Sequence, residues 1–271
     1  METLTFKGAD GQPLNAVDYG GSGKPSMLLV HGGSAHARWW DFVGPELTDR
    51  CHVLALDQRG HGDSPWFDEW AYGSRHYVAD LAAVIGAWGL GEPVLVGHSM
   101  GGHNVMLYAG QHSETLRAAV AIDSPASYPK DATEMLRGIA EKPGRRFQTL
   151  EEAITNFKTI PSNTIASPEI LANTARYSFR QDGEGAWMHK MDRRTMLREP
   201  ISVWDYLPKI QCPMLYIRAG TSAIQPWVPD KIISKVPNGR VATVPDSHHH
   251  VPLDNPAGLV KVLREFLDEL G

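Results

Sequence analysis

Short, nearly unbroken apolar runs recur along this chain at Met27 to Val30, Val53 to Leu56, Val94 to Val96, Ala118 to Ile122, Met214 to Ile217 and Val241 to Val244. Runs of that length without polar alternation are what a strand buried on both faces requires. Stretches with helical spacing lie between several of them, notably Tyr77 to Trp88 and His103 to Gly110. The alternation predicts an α/β architecture, a mostly parallel twisted sheet covered by helices on both faces. Leu4 to Phe6 and Leu14 to Tyr19 mix apolar and polar residues and predict a more exposed, antiparallel edge. A closing helix is predicted over Ala257 to Leu270, where Leu259, Val260, Val262, Leu263, Phe266 and Leu270 share one side. Asn255-Pro256 opens it with a capping residue and a first-turn proline.

One segment breaks the rhythm. From about Pro125 to Leu207 no buried strand is evident, but Leu150 to Phe157 and Pro168 to Tyr177 are amphipathic at helical spacing. Residues 1–124 and 208–271 are therefore expected to form the core, with 125–207 inserted as a helical cap over the sheet's C-terminal edge. Ligands bind at that edge in open α/β sheets. Aromatic and sulfur residues gather late in the insertion, and Trp187, Met188 and Trp204 are expected to line a pocket there. Trp40, beside Trp39 near the pocket mouth, is a further candidate for ligand contact.

Composition narrows the class. The 271 residues suit one domain with an insertion, and a hydrophobic share of 42% supports a sizeable core. A net charge of −5 without a basic cluster argues against nucleic acid or an anionic membrane as partner. The opening Met1-Glu2-Thr3-Leu4-Thr5-Phe6 lacks a basic segment followed by an apolar one, so a cytoplasmic location is expected. Cys51 and Cys212 each precede an apolar run and read as small core residues, not as a disulfide.

The chemistry concentrates at Gly97-His98-Ser99-Met100-Gly101, between an apolar strand and a helical pattern carrying Val105, Met106 and Tyr108. A sharp strand-to-helix turn strains its central residue and tolerates only small neighbours. Ser99 is thereby lifted above the sheet, close to the positive end of a helix dipole, as a nucleophile requires. Three further segments follow predicted strands: His31-Gly32-Gly33-Ser34, Asp57-Gln58-Arg59-Gly60-His61-Gly62-Asp63-Ser64, and Asp246-Ser247-His248-His249-His250. The three adjacent histidines diverge along an extended or turning loop, so no metal site is expected there.

Together these motifs resemble the α/β-hydrolase superfamily, in its serine branch with a helical cap. The resemblance covers essentially the whole chain and is specific for the fold, weakly so for the substrate. It implies Ser99 as nucleophile, with the backbone N–H groups of Gly33 and Met100 as the oxyanion hole. The family's histidine usually lies seven residues before the proline that opens the last helix, and counting back from Pro256 gives His249.

The acid departs from the pattern. The family most often supplies it after the strand Met214 to Ile217, where this chain has Arg218-Ala219-Gly220-Thr221-Ser222-Ala223. Neither Ser222 nor Ala223, at the two candidate registers, can hold a histidine tautomer by charge. Some relatives place the acid one core strand earlier, and here Ala118 to Ile122 ends in Asp123, the preferred candidate. Asp246 and Asp230 are weaker candidates, and a Ser–His dyad stays open.

The resemblance implies a cofactor-free hydrolase acting on a small-molecule carboxylic ester or lactone through an acyl-enzyme. Carbon–carbon hydrolysis of a diketone and perhydrolysis use the same triad and remain alternatives. A non-enzymatic ligand receptor on the same fold is the rival from another class.

Overall fold

The computed structural model describes residues 1–89, 91–197, 201–222 and 224–271, with the backbone alone for Glu69 and Trp70. The chain opens as a hairpin of β1 (Glu2–Lys7) and β2 (Pro13–Gly20). Next come β3 (Ser26–Val30), β4 (His52–Leu56), α1 (Ser74–Trp88), β5 (Val94–His98), α2 (Met100–Ala109) and β6 (Ala118–Ile122). The insertion holds α3 (Lys130–Ala140), β7 (Arg146–Phe147), α4 (Leu150–Thr155), α5 (Pro168–Tyr177), β8 (Phe179–Gln181) and β9 (Trp187–His189). The chain then returns through β10 (Met214–Ala219), α6 (Val228–Ile233), β11 (Gly239–Val244), α7 (Val251–Asp254) and α8 (Pro256–Leu270).

Eight strands form the main sheet in the order β1-β2-β4-β3-β5-β6-β10-β11. The β1–β2 and β2–β4 pairs are antiparallel and the rest are parallel, as the apolar runs predict. Every residue of β3, β4, β5 and β6 is buried, and successive side chains divide between two cores. Leu28, Val30, Leu54 and Leu56 pack toward Leu81, Val84, Val105 and Met106 of α1 and α2. Met27, Leu29, Val53 and Val96 pack in the opposite core with Leu259, Leu263 and Phe266 of α8. Each such side chain contributes roughly 1.5–3 kcal/mol by leaving water. Because these strands run parallel, the loops leaving β3, β5, β6, β10 and β11 meet at one edge.

The insertion is not helical throughout. Besides α3, α4 and α5 it contains a three-stranded antiparallel sheet, ordered β7-β9-β8. Strands of two or three residues are too short to show a period-two pattern, so no local signal marks them. Caps fix the helices locally: the Thr149 hydroxyl accepts from Glu152 N–H, and the Ser167 hydroxyl from Ile170 N–H. Helix α3 buries none of its residues. Further on, Val203 and Leu207 pack into the core of the main sheet, and Val203 N–H bonds the Ala126 carbonyl at 2.9 Å. Among the described residues no helix is long and apolar enough to cross a membrane.

Candidate active site

Strand β5 passes into α2 through Ser99, whose φ of 51° and ψ of −116° are rarely adopted by a residue with a side chain. The surroundings hold this strain in place. Ser99 N–H bonds the Ile122 carbonyl at 2.8 Å, and the Ser124 hydroxyl donates to the Ser99 carbonyl. A Cβ on Gly97 would collide with the Gly101 backbone, and one on Gly101 with the Val30 carbonyl. The two glycines that flank the serine in the motif are therefore required by close approach.

His249 lies between Ser99 and Asp123. Its Nε2 is 3.0 Å from Ser99 Oγ, and its Nδ1 is 2.8 Å from Asp123 Oδ2. With Nδ1–H donating to the carboxylate, Nε2 is left to accept the serine proton. His249 and Asp123 are buried, while Ser99 keeps partial exposure. Of the other acids weighed from the sequence, Asp230 and Asp246 are exposed and face outward.

Asp123 is held from several sides. It leaves β6 with a positive φ of 44°, and its Oδ1 accepts the Ala219 N–H at 3.2 Å. The Ser222 hydroxyl donates to Oδ2 at 2.9 Å while itself accepting the Ile224 N–H at 2.8 Å. Ala223, the other register weighed for an acid, lies outside the described residues. Tyr216, inside β10, closes the turn after Asp123: its hydroxyl accepts Ser124 N–H at 2.9 Å and donates to the Ser124 carbonyl at 2.7 Å. Burial, and secondarily the Asp123 charge, push the Tyr216 phenol well above its ordinary value, so it stays a neutral donor. Tyr216 carries no sequence signal, since it sits in an apolar run, and Ser222 stands out in the sequence only as a register for the acid, not as a donor to Asp123.

The remaining histidines support this arrangement. His98 Nε2–H donates to the His249 carbonyl at 2.7 Å, and burial holds the His98 ring uncharged well below its ordinary pKa. His250 bonds the Pro161 carbonyl at 2.7 Å through Nε2, tying the loop after β11 to the insertion. His248 N–H is taken by Asp254 Oδ2 at 2.9 Å. Ser247 links neighbouring loops by accepting the Thr221 N–H on its carbonyl at 2.8 Å.

The loop after β3 faces the elbow. His31 accepts Gln58 N–H on Nε2 at 3.0 Å and donates from Nδ1 to the Gly32 carbonyl at 2.7 Å, and burial lowers it to about 4. Gly32 packs so closely on the elbow that a Cβ there would lie 3.2 Å from Ser99 Cβ. Met100 opens α2, so its N–H has no acceptor within the helix. Among the described residues neither it nor the Gly33 N–H has a hydrogen-bond partner.

A cavity of about 930 Å³ lies against this loop at Ser34 and is otherwise walled mainly by the insertion, including Phe147, Met188, His189 and Arg193. Of the four residues expected to line a pocket, Met188 is among those lining this cavity, and Trp40, Trp187 and Trp204 are not. Trp40 is wholly buried among Val43, Leu47 and the α8 residues, because its 3-10 turn lays the indole under the sheet. Trp187 joins Phe147 and Phe179 in a small apolar cluster of the insertion. Trp204 packs on the main core, with the Lys231 ammonium 5.1 Å from its ring centroid. Among the described residues no group of His, Cys, Asp and Glu is arranged to hold a metal ion.

A strained serine elbow on a mostly parallel eight-stranded sheet defines the class, and sequence comparison places the chain within it. The chain belongs to the alpha/beta hydrolase family, whose model matches residues 27–262. It is 27% identical to the N-formylmaleamate deformylase of Pseudomonas putida over 267 residues, 96% of this chain and 94% of that protein. It is 26% identical to an esterase of Mycobacterium tuberculosis over 264 residues, 94% of this chain and 86% of that one. The crystal structure of an E-2-(acetamidomethylene)succinate hydrolase superposes with a TM-score of 0.87 at 22% identity, covering 98% of this chain and 99% of that one, a likeness of fold.

Proposed function

We propose that the protein is a serine hydrolase that cleaves a small carboxylic ester or lactone through an acyl-enzyme, without a cofactor. The observation that carries this reading is the continuous relay from Ser99 Oγ through His249 to Asp123, with contacts of 3.0 and 2.8 Å. In this reading His249 Nε2 takes the Ser99 proton as Oγ attacks the carbonyl carbon. The C=O electrons move to oxygen, which rests on the N–H groups of Gly33 and Met100. His249 then hands the proton to the departing alkoxide, and the acyl group stays on Ser99. Water, deprotonated by the same Nε2, repeats the attack and releases the acid and the free serine. Asp123 keeps the imidazole in the right tautomer and stabilises the imidazolium that forms.

A second reading, cleavage of an acyl–nitrogen bond by the same steps, rests on the relative named N-formylmaleamate deformylase. The two differ only in the leaving group His249 must protonate.

Turnover of p-nitrophenyl acetate and labelling by a fluorophosphonate probe test the reading. One probe should bind per chain, at Ser99. Ser99→Ala and His249→Ala should each lower kcat by about 10⁴ to 10⁶ with the fold intact, whereas His248→Ala should cost far less. A Ser99→Ala protein that keeps a tenth of the turnover overturns the assignment.

A further inference from the structure

We propose that this site selects acyl substrates bearing a second, anionic carboxylate group, held in the cavity of the insertion by the Arg193 guanidinium and the His189 imidazole N–H. The inference rests on the serine-hydrolase reading for the bond that is broken, and adds what the rest of the substrate must carry.

Arg193 lines the cavity and is half-buried. Its guanidinium donates to the Ile139 carbonyl at the end of α3, and its Nε is buried without a partner. Among the described residues no carboxylate comes within ion-pair distance of it, although acids line the same wall. Of these, Asp182 and Glu184 pair with Arg146, and Asp192 with Arg194 and the Tyr72 hydroxyl, while Glu141, just after α3, lines the cavity without an ion pair to Arg193 among the described residues. Burial without a counter-charge pulls the Arg193 pKa down, the mark of a cation that has lost water and gained no anion. A planar guanidinium in that state matches the two oxygens of a carboxylate.

His189 supplies a neutral donor beside it. Its Nδ1 accepts the Met191 N–H at 3.0 Å, so the proton sits on Nε2. Burial, reinforced by the Arg193 charge, lowers the ring to about 4, and at neutral pH it donates without adding charge. Phe147, Met188 and Met191 add apolar surface to the same cavity, suited to a short hydrocarbon spacer. The cavity meets the core at Ser34, two residues after Gly32, which packs on Ser99. On this proposal a substrate attacked at Ser99 extends past Ser34 into the cavity and places its carboxylate at Arg193.

The test compares the monomethyl esters of succinate, glutarate and adipate with methyl butyrate, valerate and hexanoate in a pH-stat. A hydrogen-bonded charge of this kind is worth about tenfold or more in kcat/KM, so at least one half-ester should exceed its neutral counterpart by that factor. Arg193→Gln should bring the ratio to about one, chiefly through KM, and Arg193→Lys should keep part of it. A role confined to capping α3 would instead depress both substrates alike. Binding is read separately by calorimetry of glutarate against glutaramide on the Ser99→Ala protein, with and without Arg193→Gln. Glutarate should bind and glutaramide should not, whether or not the arginine variant folds. Neutral esters favoured throughout, or a ratio that survives Arg193→Gln, overturn the proposal. Ser99-dependent turnover of methyl valerate with no glutarate binding sinks it while sparing the serine-hydrolase reading. Glutarate binding without turnover of any ester does the reverse.

Discussion

The Ser222 hydroxyl donates to Asp123 Oδ2 at 2.9 Å, the same oxygen that faces His249 Nδ1 at 2.8 Å. Ser222 follows β10, where the family's acid most often stands, whereas Asp123 leaves the end of β6. Neighbouring parallel strands end side by side, with Ile217 opposite Ile122, so a carboxylate from either can reach the same imidazole. The serine at that position is a donor to the Asp123 carboxylate.

This relationship yields the first prediction. Asp123→Asn should preserve the fold while lowering kcat about 10⁴-fold, because an amide at this position favours the wrong imidazole tautomer. Adding Ser222→Asp in that background should recover at least part of the loss, since the new carboxylate arises beside the same nitrogen. Steady-state kinetics on p-nitrophenyl acetate decide it. Near-normal turnover in Asp123→Asn would mean that a Ser–His dyad suffices.

Trp40 gives a prediction about stability. Its indole is fully buried beneath the sheet, so Trp40→Ala removes core volume and should cost about 3–5 kcal/mol. The ratio of kcat/KM values for short and long esters should stay as in the wild type. Chemical denaturation and a chain-length series separate the outcomes, and a shifted preference with little lost stability would return Trp40 to the pocket.

The buried histidines predict how stability follows pH. Burial lowers His31, His189 and His250 to about 4, and His36 and His98 also well below their ordinary value. Between roughly pH 6.5, where a histidine in the unfolded chain takes its proton, and the depressed folded values, the unfolded state binds more protons. Stability is therefore full above that window and falls as pH drops through it. Calorimetric scans should show Tm declining steadily from pH 6.5 to 4, with several protons taken up on unfolding at pH 5. A flat Tm across that range would mean these rings are already solvated or charged in the fold.

The sequence by itself determined the strands, their parallel character and the serine elbow. Each rests on a local signal: unbroken apolar runs for buried strands, and glycines two residues either side of Ser99 where a Cβ would collide with backbone. His249 was legible through its spacing to Pro256, where the last helix begins. What no local pattern carries is which side chains meet from distant segments. Asp123 and Ser222 are 99 positions apart, and only the pairing of β6 with β10 brings them together. The three-stranded sheet of the insertion escaped for a related reason, since its strands are too short for periodicity and exist only through their partners. The placement of Trp40 in the main core and of Trp187 in a cluster of the insertion is of the same kind, since an aromatic residue satisfies a core and a pocket equally well and only the tertiary structure decides which surface its ring meets.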